Sequence, residues 1–105
     1  MIITYANKKI EKLCNSGDLQ RVIGDANSNS KFAQLLFELD SFDTLKEFFA
    51  NPLLQQRYKA HQLHSNRKGQ YAFKINYKWR LVIVVDGDHL SATEIKIKEI
   101  VDYHE

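Results

Sequence analysis

The sequence predicts an α+β domain in which N-terminal helices pack on one face of a mostly antiparallel sheet. In the first half of the chain, apolar residues recur at the three- and four-residue spacing of amphipathic helices. In the second half they alternate with polar residues, as strands with one buried face require. The chain has 105 residues and no internal repeat or linker-like segment. We therefore expect a single domain over residues 1–105.

The N-terminus is predicted to form a strand followed by a helix. The segment Ile2–Tyr5 has the composition of a strand. Asn7 is a suitable cap for a helix that carries Ile10, Leu13 and Cys14 on one face. A lone cysteine cannot form an internal disulfide, and free cysteine usually packs as a small apolar residue. We therefore place Cys14 in the core.

Two further helices are predicted before residue 40. A short helix contains Leu19, Val22 and Ile23, and Gly24 suits its C-terminal end. The polar residues 25–30 are expected to form a loop. The next helix starts at Lys31, because four apolar residues then recur at helical spacing: Phe32, Leu35, Leu36 and Leu39.

The last predicted helix begins at Ser41, which can act as its N-cap, with Asp43 in the first turn. Asn51 and Pro52 are expected to end it. Its apolar residues are Phe42, Leu45, Phe48 and Phe49. The first half of the chain is thus predicted to be mainly helical.

Two adjacent strands follow in the second half. The first has one apolar face, formed by Tyr71, Phe73, Ile75 and Tyr77. The second has the apolar residues Trp79, Leu81, Ile83 and Val85 on one face, and Arg80, Val82 and Val84 on the other. A strand that is largely apolar on both faces is typical of the centre of a sheet. Arg80 is the polar exception.

The final strand is predicted to follow a turn at residues 86–88 and to end in the segment 100–104. Ile95 and Ile97 keep the alternation of a strand, whereas Ile100 breaks it. An extra residue in one strand would restore the pattern. We therefore predict a β-bulge near Lys98 or Glu99.

The charges are strongly segregated along the chain, although the formal net charge is only +2. No acidic residue occurs between Glu47 and Asp86. That interval contains Arg57, Lys59, His61, His64, Arg67, Lys68, Lys74, Lys78 and Arg80. A stretch of this kind attracts polyanions. It also contains aromatic residues that can stack on unpaired bases, although their alternation is explained more simply by burial in the core.

Several classes of protein are disfavoured. The chain has no phosphate-binding GxxxxGK[ST] motif, no HExxH motif and no paired-cysteine metal motif. No apolar run approaches the roughly 20 residues that a membrane helix needs, and residues 1–10 lack the core of a signal peptide. We expect a cytoplasmic protein that contacts no membrane. A metal site that uses His61, His64 and His104 is a minor alternative.

Three segments resemble the HigB branch of the RelE/ParE superfamily of toxins: AHQLHSNRKGQY at 60–71, YKWRL at 77–81 and EIVDYH at 99–104. The resemblance implies a RelE-like fold and the toxin of a type II toxin-antitoxin system. It implies a ribosome-dependent endoribonuclease, or mRNA interferase, that needs no cofactor. The implied partners are the ribosome, messenger RNA and a helix-turn-helix antitoxin of the HigA type. Operator DNA would be bound only through that antitoxin.

Metal-free cleavage of RNA by its 2′-hydroxyl needs a base, an acid and a group that stabilises charge on the phosphate. Histidine side chains exchange protons near neutral pH, which suits His61 and His104. Arg80 can present a planar set of donors to a phosphate. Tyr103 can stack on a base, and Asp102 can orient a histidine or an arginine.

One position departs from the family pattern. His61 matches a catalytic histidine, but the residue three positions later is usually a catalytic lysine and here is His64. His64 can serve as acid or base, while Arg67 and Lys68 can supply the missing positive charge. The other RNA-binding candidates are Lys59 and Lys78. The alternative functions are a non-catalytic basic toxin, such as a ParE-like gyrase inhibitor or an RNA-binding module, and an inactive relative.

Overall fold

The computed structural model describes residues 1–16, 24, 26–63, 67–86 and 90–102. Its helices are α1 (Lys8–Ser16), α2 (Ala26–Ser41), α3 (Leu45–Phe49) and α4 (Pro52–Tyr58). Its strands are β1 (Ile2–Tyr5), β2 (His61–Gln62), β3 (Gln70–Lys74), β4 (Trp79–Val84) and β5 (Glu94–Asp102). In these parts of the chain none of the helices is both long and apolar enough to cross a membrane.

The described strands form one sheet in the order β1-β5-β4-β3-β2. Strand β1 pairs with β5 in parallel, and the other three pairings are antiparallel. Strand β4 lies in the middle, as its two apolar faces predict. The expected α+β class, with helices on one face of a mostly antiparallel sheet, is confirmed.

The predicted β-bulge lies in β5. Val82 pairs with Glu99, whereas the next residue of β4, Ile83, pairs with Ile97. Lys98 is therefore the extra residue that faces no partner of its own in β4. Because of this shift, Ile97 and Ile100 both project toward the core despite their odd spacing.

The core lies between the helices and one face of the sheet. Leu35 and Leu39 of α2 are fully buried, as are Leu81 and Ile83 of β4. The largest buried side chains are aromatic. Six rings contact one another in this layer: Phe42, Phe48, Phe49, Tyr58, Tyr71 and Phe73. Most of the aromatic residues in the basic interval thus serve packing, as their alternation indicates.

The first helix agrees with the sequence prediction. The Ile10 backbone N–H donates to Asn7 Oδ1 at 2.9 Å, so Asn7 is the N-cap of α1. Cys14 is half-buried and packs against the edge of the core. Burial raises the pKa of its thiol to about 11.

The prediction of a loop at residues 25–30 is wrong, because α2 begins at Ala26. The polar residues of this first part have low helix propensity, but the fold gives one of them a buried partner. Ser28 is only 7% exposed, and its hydroxyl accepts a hydrogen bond from Asn76 Nδ2 at 2.9 Å. A contact 48 residues away in sequence thus helps to extend the helix.

The prediction that Ser41 caps the next helix is also wrong. Ser41 is the last residue of α2, where its hydroxyl donates to the Phe37 carbonyl at 2.7 Å. The N-cap of α3 is Thr44, whose side chain accepts from the Glu47 backbone N–H. Asn51 and Pro52 do not merely end a helix, because they begin α4.

Tyr77 does not share the buried face of β3. It is 76% exposed and lies in the turn between β3 and β4. The predicted short helix at residues 19–23 lies outside the described residues, as do residues 87–88 of the predicted turn and the end of the last strand at residues 103–104. Gly24 has a φ of 89°, a conformation that suits glycine.

Candidate functional site

The second face of the sheet, opposite the described helices, carries the candidate site. Side chains alternate between the faces of a strand, so Arg80 and Val82 project away from the core that Leu81 and Ile83 fill. Residues paired directly across strands share a face. Arg80 pairs with Lys74 of β3 and Val101 of β5, which brings charged and apolar groups together there.

A cleft of about 340 Å³ opens on this face. We call it the sheet cleft; it is lined by Leu63, Arg67, Ala72, Arg80, Val82, Val101 and Asp102. Its lining combines four apolar side chains with three charged ones. A hollow of this kind holds a charged group against a water-poor surface, where hydrogen bonds and charges act more strongly than in water.

Arg80 is held in place by the backbone. Its Nη1 donates to the Asn76 carbonyl at 2.7 Å and to the Trp79 carbonyl at 3.2 Å. The side chain is half-buried at the wall of the cleft. Two carbonyls therefore fix one end of the guanidinium, and this fixed planar group suits recognition of a phosphate.

Asn76 positions Arg80, although the sequence analysis did not identify it. Its Oδ1 accepts from the Lys78 and Trp79 backbone N–H groups at 2.9 Å and 2.7 Å. These bonds close the turn between β3 and β4 and set the direction of the Asn76 carbonyl that Arg80 uses. An asparagine between two apolar strand segments favours a turn, and this is the signal in the sequence that could have identified Asn76.

Arg67 faces the cleft from the segment before β3. Its Nη2 lies 3.0 Å from Glu99 Oε2, and its Nε donates to Gln70 Oε1 at 3.2 Å. Lys98 Nζ donates to the same Gln70 oxygen at 3.2 Å. The side chains of Arg67 and Glu99 are 38% and 35% exposed. A pair this accessible contributes at most about 1 kcal/mol, so Arg67 can exchange Glu99 for another anion.

Asp102, the last residue of β5, also lines the cleft. It pairs across the strands with Trp79, which packs against the core, so Asp102 belongs to the helix-facing side at the end of the sheet. Its Oδ2 is 3.8 Å from Lys78 Nζ. The Lys78 ammonium also lies 5.2 Å from the centre of the Trp79 ring. Lys78 thus stands beside the cleft through its contacts with Asp102 and Trp79.

His61 lies one strand beyond the cleft lining. It is exposed, and its pairing with Ala72 assigns it to the second face of the sheet. Its Nδ1 is 2.9 Å from the Lys59 carbonyl. Because a carbonyl oxygen can only accept, this contact places a proton on Nδ1, and Nε2 of the neutral ring is then the basic nitrogen.

The remaining predicted residues are distributed differently. Lys59 lines a second, larger cavity, and Lys68 is exposed in the turn before β3. His64, Tyr103 and His104 lie outside the described residues. The structure therefore brings Arg67, Arg80 and Asp102 to one cleft, with Lys78 beside it and His61 on the neighbouring strand.

The minor alternative of a metal site concerns histidines that are mostly outside the described residues. Where the chain is described, no three His, Cys, Asp or Glu side chains are grouped so that they could hold a metal ion. His61 is the one member of the proposed triad within those parts.

The fold is similar to that of solved toxin structures. Neither a protein-family model nor a curated protein sequence matches the chain. The YoeB dimer from Staphylococcus aureus is 27% identical, with a TM-score of 0.56, over 100% of this chain and 98% of that chain. YoeB in the heterotetrameric YoeB-YefM toxin-antitoxin complex of the same organism is also 27% identical over the same shares, with a TM-score of 0.53.

A more distant structure supports the fold alone. The YoeB/ParE toxin from Agrobacterium tumefaciens is 15% identical, with a TM-score of 0.61, over 99% of this chain and 100% of that chain. These neighbours are toxins of the RelE/ParE superfamily, and the chain has a RelE-like fold, as the resemblance implies. Nothing in these likenesses singles out the HigB branch.

Proposed function

We propose that this chain is the toxin of a type II toxin-antitoxin system and a ribosome-dependent endoribonuclease of the HigB kind that cuts messenger RNA. The observation that carries the proposal is the sheet cleft, which Arg80 and Asp102 both line and where two carbonyls fix the Arg80 guanidinium. The likeness to YoeB of Staphylococcus aureus over the whole chain supports it. So does the resemblance of residues 60–71 and 99–104 to the HigB branch.

The proposed reaction needs no metal. A base removes the proton of a ribose 2′-hydroxyl, whose oxygen then attacks the adjacent phosphorus atom. The bond from phosphorus to the 5′-oxygen of the next nucleotide breaks, and an acid protonates that oxygen. Negative charge develops on the non-bridging phosphate oxygens during the step. The guanidinium of Arg80 stabilises this charge, because its fixed donors need little reorganisation during the reaction.

His61 and His104 are the proposed proton carriers. The contact of His61 with the Lys59 carbonyl leaves Nε2 as its basic nitrogen. His104 follows Asp102, which lines the cleft, by two residues in the sequence. His64 is a third candidate in place of the usual lysine. Asp102 orients one of these groups, and Tyr103 stacks on a base.

The basic residues around the cleft are proposed to hold the RNA backbone. Arg67 can exchange its exposed Glu99 partner for a phosphate, and Lys78 stands beside Asp102. Lys59 and Lys68 add positive charge further out. Contacts of this kind give affinity that falls with salt and is independent of base sequence.

The proposed partner is an antitoxin encoded beside this gene, of the helix-turn-helix HigA type. The heterotetrameric YoeB-YefM complex of Staphylococcus aureus is a toxin bound to its antitoxin, which supports this. The basic interval of this chain is complementary to an acidic protein segment. Operator DNA would be contacted through that partner.

The decisive experiment maps the 5′ ends of translated messages after the chain is induced in bacterial cells. The unaltered chain should stop growth and create new 5′ ends, and co-expression of the antitoxin should restore growth. Arg80→Ala and His104→Ala should remove both effects. Both variants should stay folded by melting analysis; for Arg80→Ala the two lost hydrogen bonds cost about 2 kcal/mol.

Lys96→Ala is the matched control. Lys96 is exposed in β5 and does not line the cleft, so this variant removes one positive charge from the strand next to β4. This variant should remain fully toxic. Full toxicity of both the Arg80 and His104 variants would exclude the mechanism. Growth arrest without new 5′ ends would favour the non-catalytic alternative, such as gyrase inhibition or RNA binding alone.

A further inference from the structure

A second cavity, of about 890 Å³, lies between α2, α4 and the end of β3. We call it the basic cavity. In the described part of the chain its charged lining consists of Lys31, Glu38, Arg57, Lys59 and Lys74. Four cations and one carboxylate leave a formal charge of +3 at its wall. The chain as a whole carries only +2, so this cavity concentrates positive charge.

Among the described residues, these four cations have no acidic partner in an ion pair. Glu38 offsets one of the four positive charges but forms no ion pair with them in the described residues, and its carboxylate accepts a hydrogen bond from Gln34 Nε2 at 2.8 Å on the same helix. Unpaired like charges around a hollow favour the binding of an anion.

The cations are also close enough to disfavour one another. The Lys31 ammonium lies 5.8 Å and the Arg57 guanidinium 6.0 Å from the centre of the Tyr58 ring. Burial lowers the pKa of Lys31, and the charges of Lys74, Arg57 and Arg80 lower it further. A bound anion would relieve this repulsion.

The basic cavity and the sheet cleft border one another at a single pair of residues. Lys74 lines the cavity and pairs directly with Arg80, which lines the cleft. Positive groups therefore follow one another from Lys59 and Arg57 through Lys74 to Arg80. A row of this kind across separate elements suits an extended polyanion better than a compact acidic group.

We propose that the basic cavity binds phosphate groups of the same RNA strand whose cleaved phosphate lies in the sheet cleft. This inference rests on the proposed function and adds a second region that binds the RNA backbone. The strand leaves the cleft past Lys74, and its flanking phosphates contact Lys31, Arg57 and Lys59. The backbone carries these contacts, so they add affinity without a preference for base sequence.

The test measures binding rather than cleavage. A labelled, mixed-sequence single strand of 2′-O-methyl RNA cannot be cut, and its fluorescence anisotropy reports binding at several salt concentrations. The cavity variant combines Lys31→Gln, Arg57→Gln and Lys59→Gln. The control variant combines Lys8→Gln, Lys9→Gln and Lys46→Gln, which are exposed in α1 and α3 and remove the same charge.

The cavity variant should bind about 50-fold more weakly at 0.15 M salt, because each lost phosphate contact reduces the slope of log K against log salt by about 0.7. The control should lose far less. If the cavity variant does not fold by melting analysis, Lys59→Glu alone provides the test at an exposed position. It should weaken binding at least about fourfold.

Equal RNA affinity of the cavity and control variants would overturn the inference, as would failure of the unaltered chain to bind the strand. If the cavity variant binds RNA normally but no longer co-purifies with the antitoxin, the cavity holds an acidic protein segment and the inference is wrong. The proposed function is tested apart from this. If Arg80→Ala abolishes cleavage but the cavity variant keeps its RNA affinity, the proposed nuclease function stands and RNA binding by the basic cavity is wrong.

Discussion

At the scale of single residues, Asn76 links the turn, the helical layer and the site. Its side-chain oxygen accepts from two backbone N–H groups, and its Nδ2 donates to Ser28 of α2. Its own carbonyl accepts from Arg80 Nη1. Asn76 therefore sets the position of the guanidinium and is a positioning residue for the proposed site.

Asn76→Ala should lower the free energy of unfolding by about 2–3 kcal/mol, because three hydrogen bonds at roughly 1 kcal/mol each are lost. The turn would loosen and the Asn76 carbonyl would no longer hold Arg80. We expect kcat for message cleavage to fall at least about tenfold, since the loss affects the group proposed to stabilise charge in the transition state. Urea denaturation and cleavage on purified ribosomes measure the two effects.

Ser28→Ala separates the structural role of Asn76 from its positioning role. This variant also loses the bond to Asn76 Nδ2, but it leaves the turn and the Arg80 contact in place. It should lose stability and keep its kcat. An equal loss of kcat in both variants would show that Asn76 acts only through general stability.

At the scale of elements, the stability of helix α4 depends on the residues at its N-terminus. Asn51 Oδ1 accepts from the Leu53 and Leu54 backbone N–H groups at 3.0 Å and 3.2 Å, and Pro52 follows the cap. A helix of seven residues has few internal hydrogen bonds, so its cap matters. The helix also carries Arg57 and Tyr58, which border the basic cavity and the core.

Asn51→Ala should destabilise the protein by about 1 kcal/mol, because two N–H groups at the start of α4 lose their acceptor. Asn51→Ser and Asn51→Asp retain a side-chain acceptor and should lose much less. Equilibrium urea unfolding at fixed pH measures the difference. If the serine and aspartate variants lost as much free energy of unfolding as the alanine variant, the amide group itself, and not its role as a side-chain acceptor, would stabilise this position.

The strands and the bulge were predictable because their signals are local. The alternation around Leu81 and Ile83 and the break at Ile100 are visible in the sequence, and both were confirmed. The start of α2 was missed because Ser28 is stabilised by Asn76, far away in the sequence. Helix α4 was missed because Asn51 and Pro52 were interpreted as a stop. The same pair is also a strong helix start.

The candidate site was only partly predictable. The resemblance pointed to Arg80 and Asp102 as site residues, but their presence in one cleft depends on the register of β4 against β5. The composition of β4 and β5 does not determine which of their residues pair. The basic cavity was not foreseen, because Lys31 and Lys74 lie 43 positions apart in the sequence and meet only through packing of α2 against the sheet.

At the scale of the whole molecule, the sheet separates stability from function. One face buries Phe73, Leu81 and Ile83 beneath the helices. The other face presents Arg80 and Arg67 at the cleft. Because neighbouring residues of a strand face opposite sides, these two roles alternate along β4. The central strand is therefore shared by the core and the proposed active site.

The pair Leu81→Ala and Arg80→Ala tests this separation at adjacent positions. Leu81 is fully buried, so its truncation leaves a cavity and should cost about 2–5 kcal/mol, a large part of the stability of a small domain. Cleavage by the folded fraction should nevertheless keep its rate, because the cleft lies on the other face. Arg80→Ala should abolish cleavage while leaving the protein folded, at a cost of about 2 kcal/mol for its two hydrogen bonds. Urea unfolding measures stability, and single-turnover cleavage per folded molecule measures activity.

If the folded fraction of Leu81→Ala lost as much cleavage activity as Arg80→Ala, the two faces would be coupled and this division of the sheet would be wrong.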